Sequence, residues 1–251
     1  MTDTPQSAIF ILGNPEITST CWSCGDMRAA HFCKACGKVQ PPLPVDYFAF
    51  FGLPRKLNID VENLQREFYE LSRRLHPDMS ARHDEREREW SLEQSSQLND
   101  AYRTLKDPIK RTEYLLRLEG VELEEQSKAA TEKARASGQT KKQIVPESLL
   151  EEVFELNMQL EELRMNQKSG ESDPSLIQEL ESHKDALEGK YQALSDELKT
   201  YWIEWDKLDD TSSEEARKKV RDEMADLLNR RSYIRNLVRD VNDALSNLAI
   251  G

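Results

Sequence analysis

The chain of 251 residues carries 47 acidic against 35 basic side chains, for a net charge of -12, with 33% of positions charged and only 7% aromatic. That balance argues against nucleic acid as a partner, and no apolar run nears the roughly 18 residues that a membrane helix needs. Sparse Gly and Pro among recurring Glu, Leu, Lys, Arg and Ala predict a mostly α chain of long helices with narrow apolar seams. Met1 to Phe10 shows neither a cationic nor an apolar targeting pattern, so a soluble cytoplasmic protein is expected.

Residues 1–20, with Pro5 and Asn14-Pro15, read as a flexible lead-in. The four cysteines follow as Cys21, Cys24, Cys33 and Cys36, two CxxC pairs separated by eight residues. This is metal spacing, and nothing marks the secretion that would favour disulfides. Gly25 and Gly37 follow the pairs and allow the tight turn that aims amide N–H groups at the sulfurs. Four thiolates suit one tetrahedral ion, zinc in first place and iron in a rubredoxin-like site as the alternative. They also fill the shell, so His31 reads as a bystander and the module of residues 21–40 as structural, with no open catalytic position.

Gln40-Pro41-Pro42-Leu43-Pro44 is a stiff connector and a domain boundary. Asp46 to Pro54 reads as a short apolar helical turn stopped by Gly52 and Pro54. Asp60 is a candidate N-cap for a helix whose Val61, Leu64, Phe68, Leu71 and Leu75 recur at spacings of three and four. Arg66, Arg73 and Arg74 lie off that stripe and lead a positive surface up to His76-Pro77-Asp78, where Pro77 ends the helix in a tight exposed turn. A second helix is predicted over 85–105 with Leu98, Tyr102 and Leu105 on one side, and Pro108 suits the first turn of a third that holds Tyr114, Leu115, Leu116 and Leu118.

Residues 121–145 are polar and read as a linker. A helix then starts near Pro146-Glu147-Ser148 with a core seam of Leu149, Val153, Leu156, Leu160 and Leu163. A second stripe of Leu150, Phe154 and Met158 lies about 100 to 180 degrees round the same helix. Either it meets a partner or the linker packs over it, and the partner reading is preferred. After a turn at Ser169 to Pro174 comes a long helix with Leu180, Leu187, Tyr191, Leu194, Leu198, Tyr201, Trp205 and Leu208 at heptad-like spacing. The last helix carries Val220, Met224, Leu227, Ile234, Val238, Val241, Leu245 and Leu248. The many glutamates lack a Glu-x-x-His pattern and read as solvated faces, and no phosphate loop, serine elbow or nucleophilic Cys–His pair is present.

Two helices joined by His76-Pro77-Asp78 and followed by Asn99-Asp100-Ala101-Tyr102-Arg103-Thr104-Leu105-Lys106-Asp107-Pro108 resemble the J-domain family. The opening Asp46-Tyr47-Phe48 to Gly52-Leu53-Pro54 and the closing Arg111 to Gly120 are similar to the HscB (Jac-type) co-chaperones of iron–sulfur cluster assembly. The four-cysteine cap is similar to a metal module in some members, animal ones included. The resemblance implies a J-domain over 45–120 and an antiparallel three-helix bundle over 146–251. It further implies that His76, Pro77 and Asp78, with the basic face of Arg66, Arg73 and Arg74, contact an HscA- or DnaK-type chaperone and stimulate its ATPase, the chain itself not being an enzyme. An IscU-type scaffold is the implied partner of the bundle. The family's scaffold-binding segment aligns with Leu150 to Leu160, matching at Leu150, Glu152, Glu155 and Leu160 with apolar Phe154 and Leu156. Met158 stands where an acidic residue is usual, and Tyr233 matches a scaffold-contacting aromatic. A general J-protein for another client and a zinc-ribbon adaptor are the alternatives, and homodimerisation is allowed but not demanded.

Overall fold

The computed structural model describes residues 20–26, 31–76, 84–123, 145–171, 173–209 and 211–248. The chain divides into two compact units, residues 1–115 and 116–251. The described residues are mostly helical, and in the cap an antiparallel bridge pairs Phe32 with Val39. No helix among them is long and apolar enough to cross a membrane. The predicted lead-in up to residue 19, and the linker from 124 to 144, lie outside the described residues.

The first unit holds α1 (Tyr47–Phe50), α2 (Val61–Arg74), α3 (Glu85–Lys106) and most of α4 (Pro108–Leu118). Asp46 starts α1 by accepting the Ala49 N–H at 2.9 Å on one carboxylate oxygen, while Arg55 donates to the other at 2.8 Å. Gly52, at φ +66°, makes the turn between them. The Tyr114 ring stacks on Tyr47 with 4.5 Å between centroids, and its hydroxyl accepts the Tyr47 N–H at 3.0 Å. The opening and closing motifs of the sequence are therefore two sides of one contact.

Asp60 caps α2 by accepting the Asn63 N–H at 2.9 Å, an interaction worth about 1 kcal/mol. α2 and α3 pack through Leu64, Leu75, Leu98, Ala101 and Leu105, all at most 1% exposed, with Phe68 stacked on Tyr102 at 4.1 Å. Each such leucine contributes roughly 1.5–3 kcal/mol by leaving water. At the C-terminal end of α3, buried Arg111 donates to the Leu105 carbonyl, which suits both the unsatisfied carbonyl and the negative end of the helix dipole.

The second unit is a bundle of α5 (Leu150–Ser169), α6 (Pro174–Lys207) and α7 (Glu214–Leu248), with a 3-10 turn at Glu147–Leu149 leading in. Gly170, at φ +73°, closes α5, and Asp173 caps α6 with Pro174 in its first turn. At 1.5 Å per residue α6 runs about 50 Å and α5 about 30 Å, so α5 covers only part of the longer pair. The seam predicted on α5, Leu149, Val153, Leu156, Leu160 and Leu163, is buried against Leu176, Leu180 and Leu187 of α6 and Tyr233, Ile234, Leu237 and Val241 of α7. Farther along α6, heptad spacing puts Tyr201 in the seam. The structure leaves Tyr201 half-buried and buries Trp202 with Leu198 and Trp205, which share a face at spacings of four and three.

Candidate functional site

The four cysteine sulfurs lie within 4.8 Å of one another, with Cys21 Sγ 3.7 Å from Cys36 Sγ and Cys24 Sγ 3.6 Å from Cys33 Sγ. Sulfurs bound at about 2.3 Å to one tetrahedral ion stand about 3.8 Å apart, whereas a disulfide needs about 2.05 Å, so the donor set fits a single metal ion. Two equivalent knuckles build it. In each, a backbone turn returns to the first cysteine, Gly25 N–H to the Cys21 carbonyl and Gly37 N–H to the Cys33 carbonyl, both at 3.0 Å. Burial pushes the Cys21 thiol up, but N–H groups of Cys24 and Ser23 and the Gln40 side chain outweigh it and bring the thiol down to about 6. At Cys24 the Asp26 N–H favours the thiolate, yet burial and the sulfurs of Cys33, Cys36 and Cys21 push it up to about 12. Cys36 is raised as well, against the pull of the Lys38 N–H, by burial and by Cys33 and Cys21. Four sulfurs so close ionise together only around a cation.

His31 lies outside this shell and does something the sequence did not reveal. Its Nδ1 sits 2.8 Å from Gln94 Oε1 on α3, and its Nε2 3.0 Å from the Phe50 carbonyl.

At the C-terminal end of α2 the Leu75 carbonyl accepts hydroxyls from two α3 residues, Ser91 at 2.7 Å and Ser95 at 2.9 Å. His76 follows at once and is exposed. Pro77 and Asp78 lie outside the described residues. Arg66, Arg73 and Arg74 are exposed on α2. Arg66 donates to Asn63 Oδ1 at 3.1 Å, and the Arg74 guanidinium lies 3.8 Å from the centre of the Phe32 ring in the cap.

On α5, Leu150, Phe154 and Met158 are 50%, 68% and 60% exposed, and Met165 continues the row at 60%. Met165 was missed although it stands seven residues beyond Met158, two helical turns along the same face. Glu151 and Glu155 flank the row in solvent, while Glu152 pairs with Lys190 of α6. Beside it a groove of about 210 Å³ opens between α5 and α6, floored by Leu156, Ala186 and Leu187 and edged by Glu155 and His183. Tyr233 lies apart from the stripe, 4% exposed in the core that α5 packs on, where burial and then Asp240 push its phenol up.

Residues 46–114 match the family model described as the DnaJ domain. The chain is 39% identical over 116 residues to the mouse iron–sulfur cluster co-chaperone protein HscB, covering 44% of this chain and 50% of that protein. It is 37% identical over 112 residues to the Arabidopsis thaliana HscB homolog, covering 44% of each. The crystal structure of human co-chaperone protein HscB superposes over 89% of this chain and 96% of its own at 23% identity, with a TM-score of 0.59. HscB from Vibrio cholerae does so over 81% and 99% at 25% identity, with a TM-score of 0.51. Residues 46–114 match the J-domain family, and the fold is that of the HscB structures. In sequence it spans about half the length of the curated HscB proteins it matches, and its fold follows the HscB structures over most of their length.

Within the HscB-type fold, α2 and α3 are the J-domain pair, and their packing puts Arg66, Arg73, Arg74 and His76 on one stretch of chain. The α5 residues Leu150, Phe154, Glu155 and Met158 belong to the other unit. The structure thus gathers the sequence-predicted residues into three groups, the four cysteines of the cap, the α2 arginines with His76, and the α5 row, and leaves Tyr233 in the core.

Proposed function

We propose that this chain is a co-chaperone that brings an IscU-type iron–sulfur scaffold to an HscA- or DnaK-type chaperone and stimulates that chaperone's ATPase. In this reading His76, Pro77 and Asp78, with Arg66, Arg73 and Arg74, meet the chaperone. The exposed face of α5, Leu150, Phe154, Glu155 and Met158, receives the scaffold, with Tyr233 supporting it from the core. The chain regulates a hydrolysis carried out by its partner and performs no chemistry of its own, and its four cysteines hold one structural zinc ion. The observation that carries the reading is the pairing, on one chain, of a J-type helix pair ending at exposed His76 with an apolar row left 50–68% exposed on the other unit. A row of that kind on a chain so rich in charge marks a contact.

The test is steady-state ATP hydrolysis by the chaperone, with and without scaffold, as the protein is titrated in. Stimulation that rises further when scaffold is present and disappears in Asp78→Asn is the expected result. Stimulation indifferent to scaffold would identify a J-protein with another client, and no stimulation would overturn the reading.

A further inference from the structure

Gln94 is 1% exposed on α3 and uses both ends of its amide on the cap. Its Oε1 meets His31 Nδ1 at 2.8 Å, and its Nε2 donates to the Gln40 carbonyl at 2.7 Å. Gln40 in turn aims its own Nε2 at Cys21 Sγ, 3.4 Å away. A short run of hydrogen bonds therefore connects a sulfur of the metal site to the core of the J-domain. Further contacts surround it. Trp22, held by donation to the Val39 carbonyl at 2.8 Å, meets Trp90 of α3 edge-on at 5.6 Å. Lys38 lies 3.3 Å from the Glu87 carboxylate, whose side chain is 2% exposed, and Phe32 carries the Arg74 guanidinium.

Among the described residues the cap shares its apolar packing with the J-domain. The cap's buried apolar residues Phe32 and Val39 belong to the same cluster as Phe50, Leu75, Leu98 and Ala101 of the J-domain. Leu75 is the residue before His76, and Ser91, which ties its carbonyl, stands on α3 between Glu87 and Gln94 at the four- and three-residue spacings of one helix face.

We propose that metal binding by the four cysteines is thermodynamically linked to the packing of α3 and of the α2 end that carries Arg74 and His76, with the cap acting as a metal-dependent buttress of the J-domain. A module this small keeps its fold through its ion, because ligand binding and folding are one equilibrium. Losing the ion therefore uncovers Gln94, Glu87 and part of the Leu75 cluster. Linkage is reciprocal: weakening the docking from the α3 side must weaken metal binding by the same factor.

The experiment compares zinc affinity, by competition with a chromogenic chelator, in the full chain and in Gln94→Ala, Trp90→Ala and, as a control in the second unit, Ile203→Ala at an exposed site of α6. Trp90 is half-buried and meets the cap through the Trp22 ring, so it keeps the test open if Gln94→Ala fails to fold. Affinity is expected to fall about tenfold in the folded Gln94 and Trp90 variants and to stay unchanged in the control. Hydrogen exchange on the wild-type chain gives a second readout: chelation should speed exchange at residues 70–76 and 85–96 and leave 176–207 as they were. Zinc affinity within about twofold of wild type in both folded variants, or deprotection confined to residues 21–40, would overturn the proposal. No chaperone or scaffold enters the measurement, so its outcome is separate from that of the proposed function.

Discussion

The Leu75 carbonyl is where α2 stops, and two hydroxyls from α3 close on it just ahead of His76. Neither Ser91 nor Ser95 stands out in the sequence, since serine on a charged helix ordinarily faces water; only the fold shows Ser91 fully buried. Removing both hydroxyls in Ser91→Ala with Ser95→Ala leaves a buried acceptor without those donors, which costs about 1–3 kcal/mol. Urea unfolding should record that loss, and the double variant should also stimulate the proposed chaperone partner less at equal concentration because the backbone leading into His76 is held less firmly. Unchanged stability would mean that water replaces the hydroxyls. His31 is illegible for a related reason: its partners Gln94 and Phe50 stand 63 and 19 residues away, and four nearby cysteines made an idle histidine the natural reading.

At the level of single helices the sequence was far more readable, because burial on a helix repeats every three to four residues and α5 shows that repeat twice. Leu156 and Leu160 point into the core, whereas Leu150 and Phe154 point out of it. The two rows should respond oppositely to truncation. Leu156 is 2% exposed, and Leu156→Ala is expected to cost about 2–5 kcal/mol in a denaturation experiment. Leu150→Ala with Phe154→Ala should leave the melting temperature almost unmoved while abolishing scaffold capture and sparing scaffold-independent ATPase stimulation. Loss of both activities in a folded double variant would break the proposed division of labour. The start of α6 gives a pH test. Hydrogen bonds from the Ser175 hydroxyl and from the Leu176 and Ser175 N–H groups hold the Asp173 carboxyl below its ordinary value. A carboxyl lowered on folding adds stability above its unfolded value near 3.8, and that gain disappears as pH falls through the folded value. Asn caps a helix about as well as Asp, so Asp173→Asn isolates the charge. Any melting-temperature advantage of the wild type at pH 6 should shrink below pH 4.

For the molecule as a whole, the proposed work is to make two encounters coincide, and one chain carrying both faces does this by raising the effective concentration of one partner near the other. That concentration depends on how the two faces are joined, and the chain passes from the first unit to the second within α4, just beyond which Glu119 accepts from the Arg221 guanidinium of α7. The polar residues 121–145 fall inside the second unit, so about 25 Gly and Ser residues inserted between Ser137 and Gly138 add no length between the two units. The scaffold-dependent increment in ATP hydrolysis, measured below saturation, should therefore keep its wild-type value, as should scaffold binding alone and scaffold-independent stimulation. A fall of about threefold, the −3/2 power law for a doubled linker, would mean instead that residues 121–145 set the separation of the two faces.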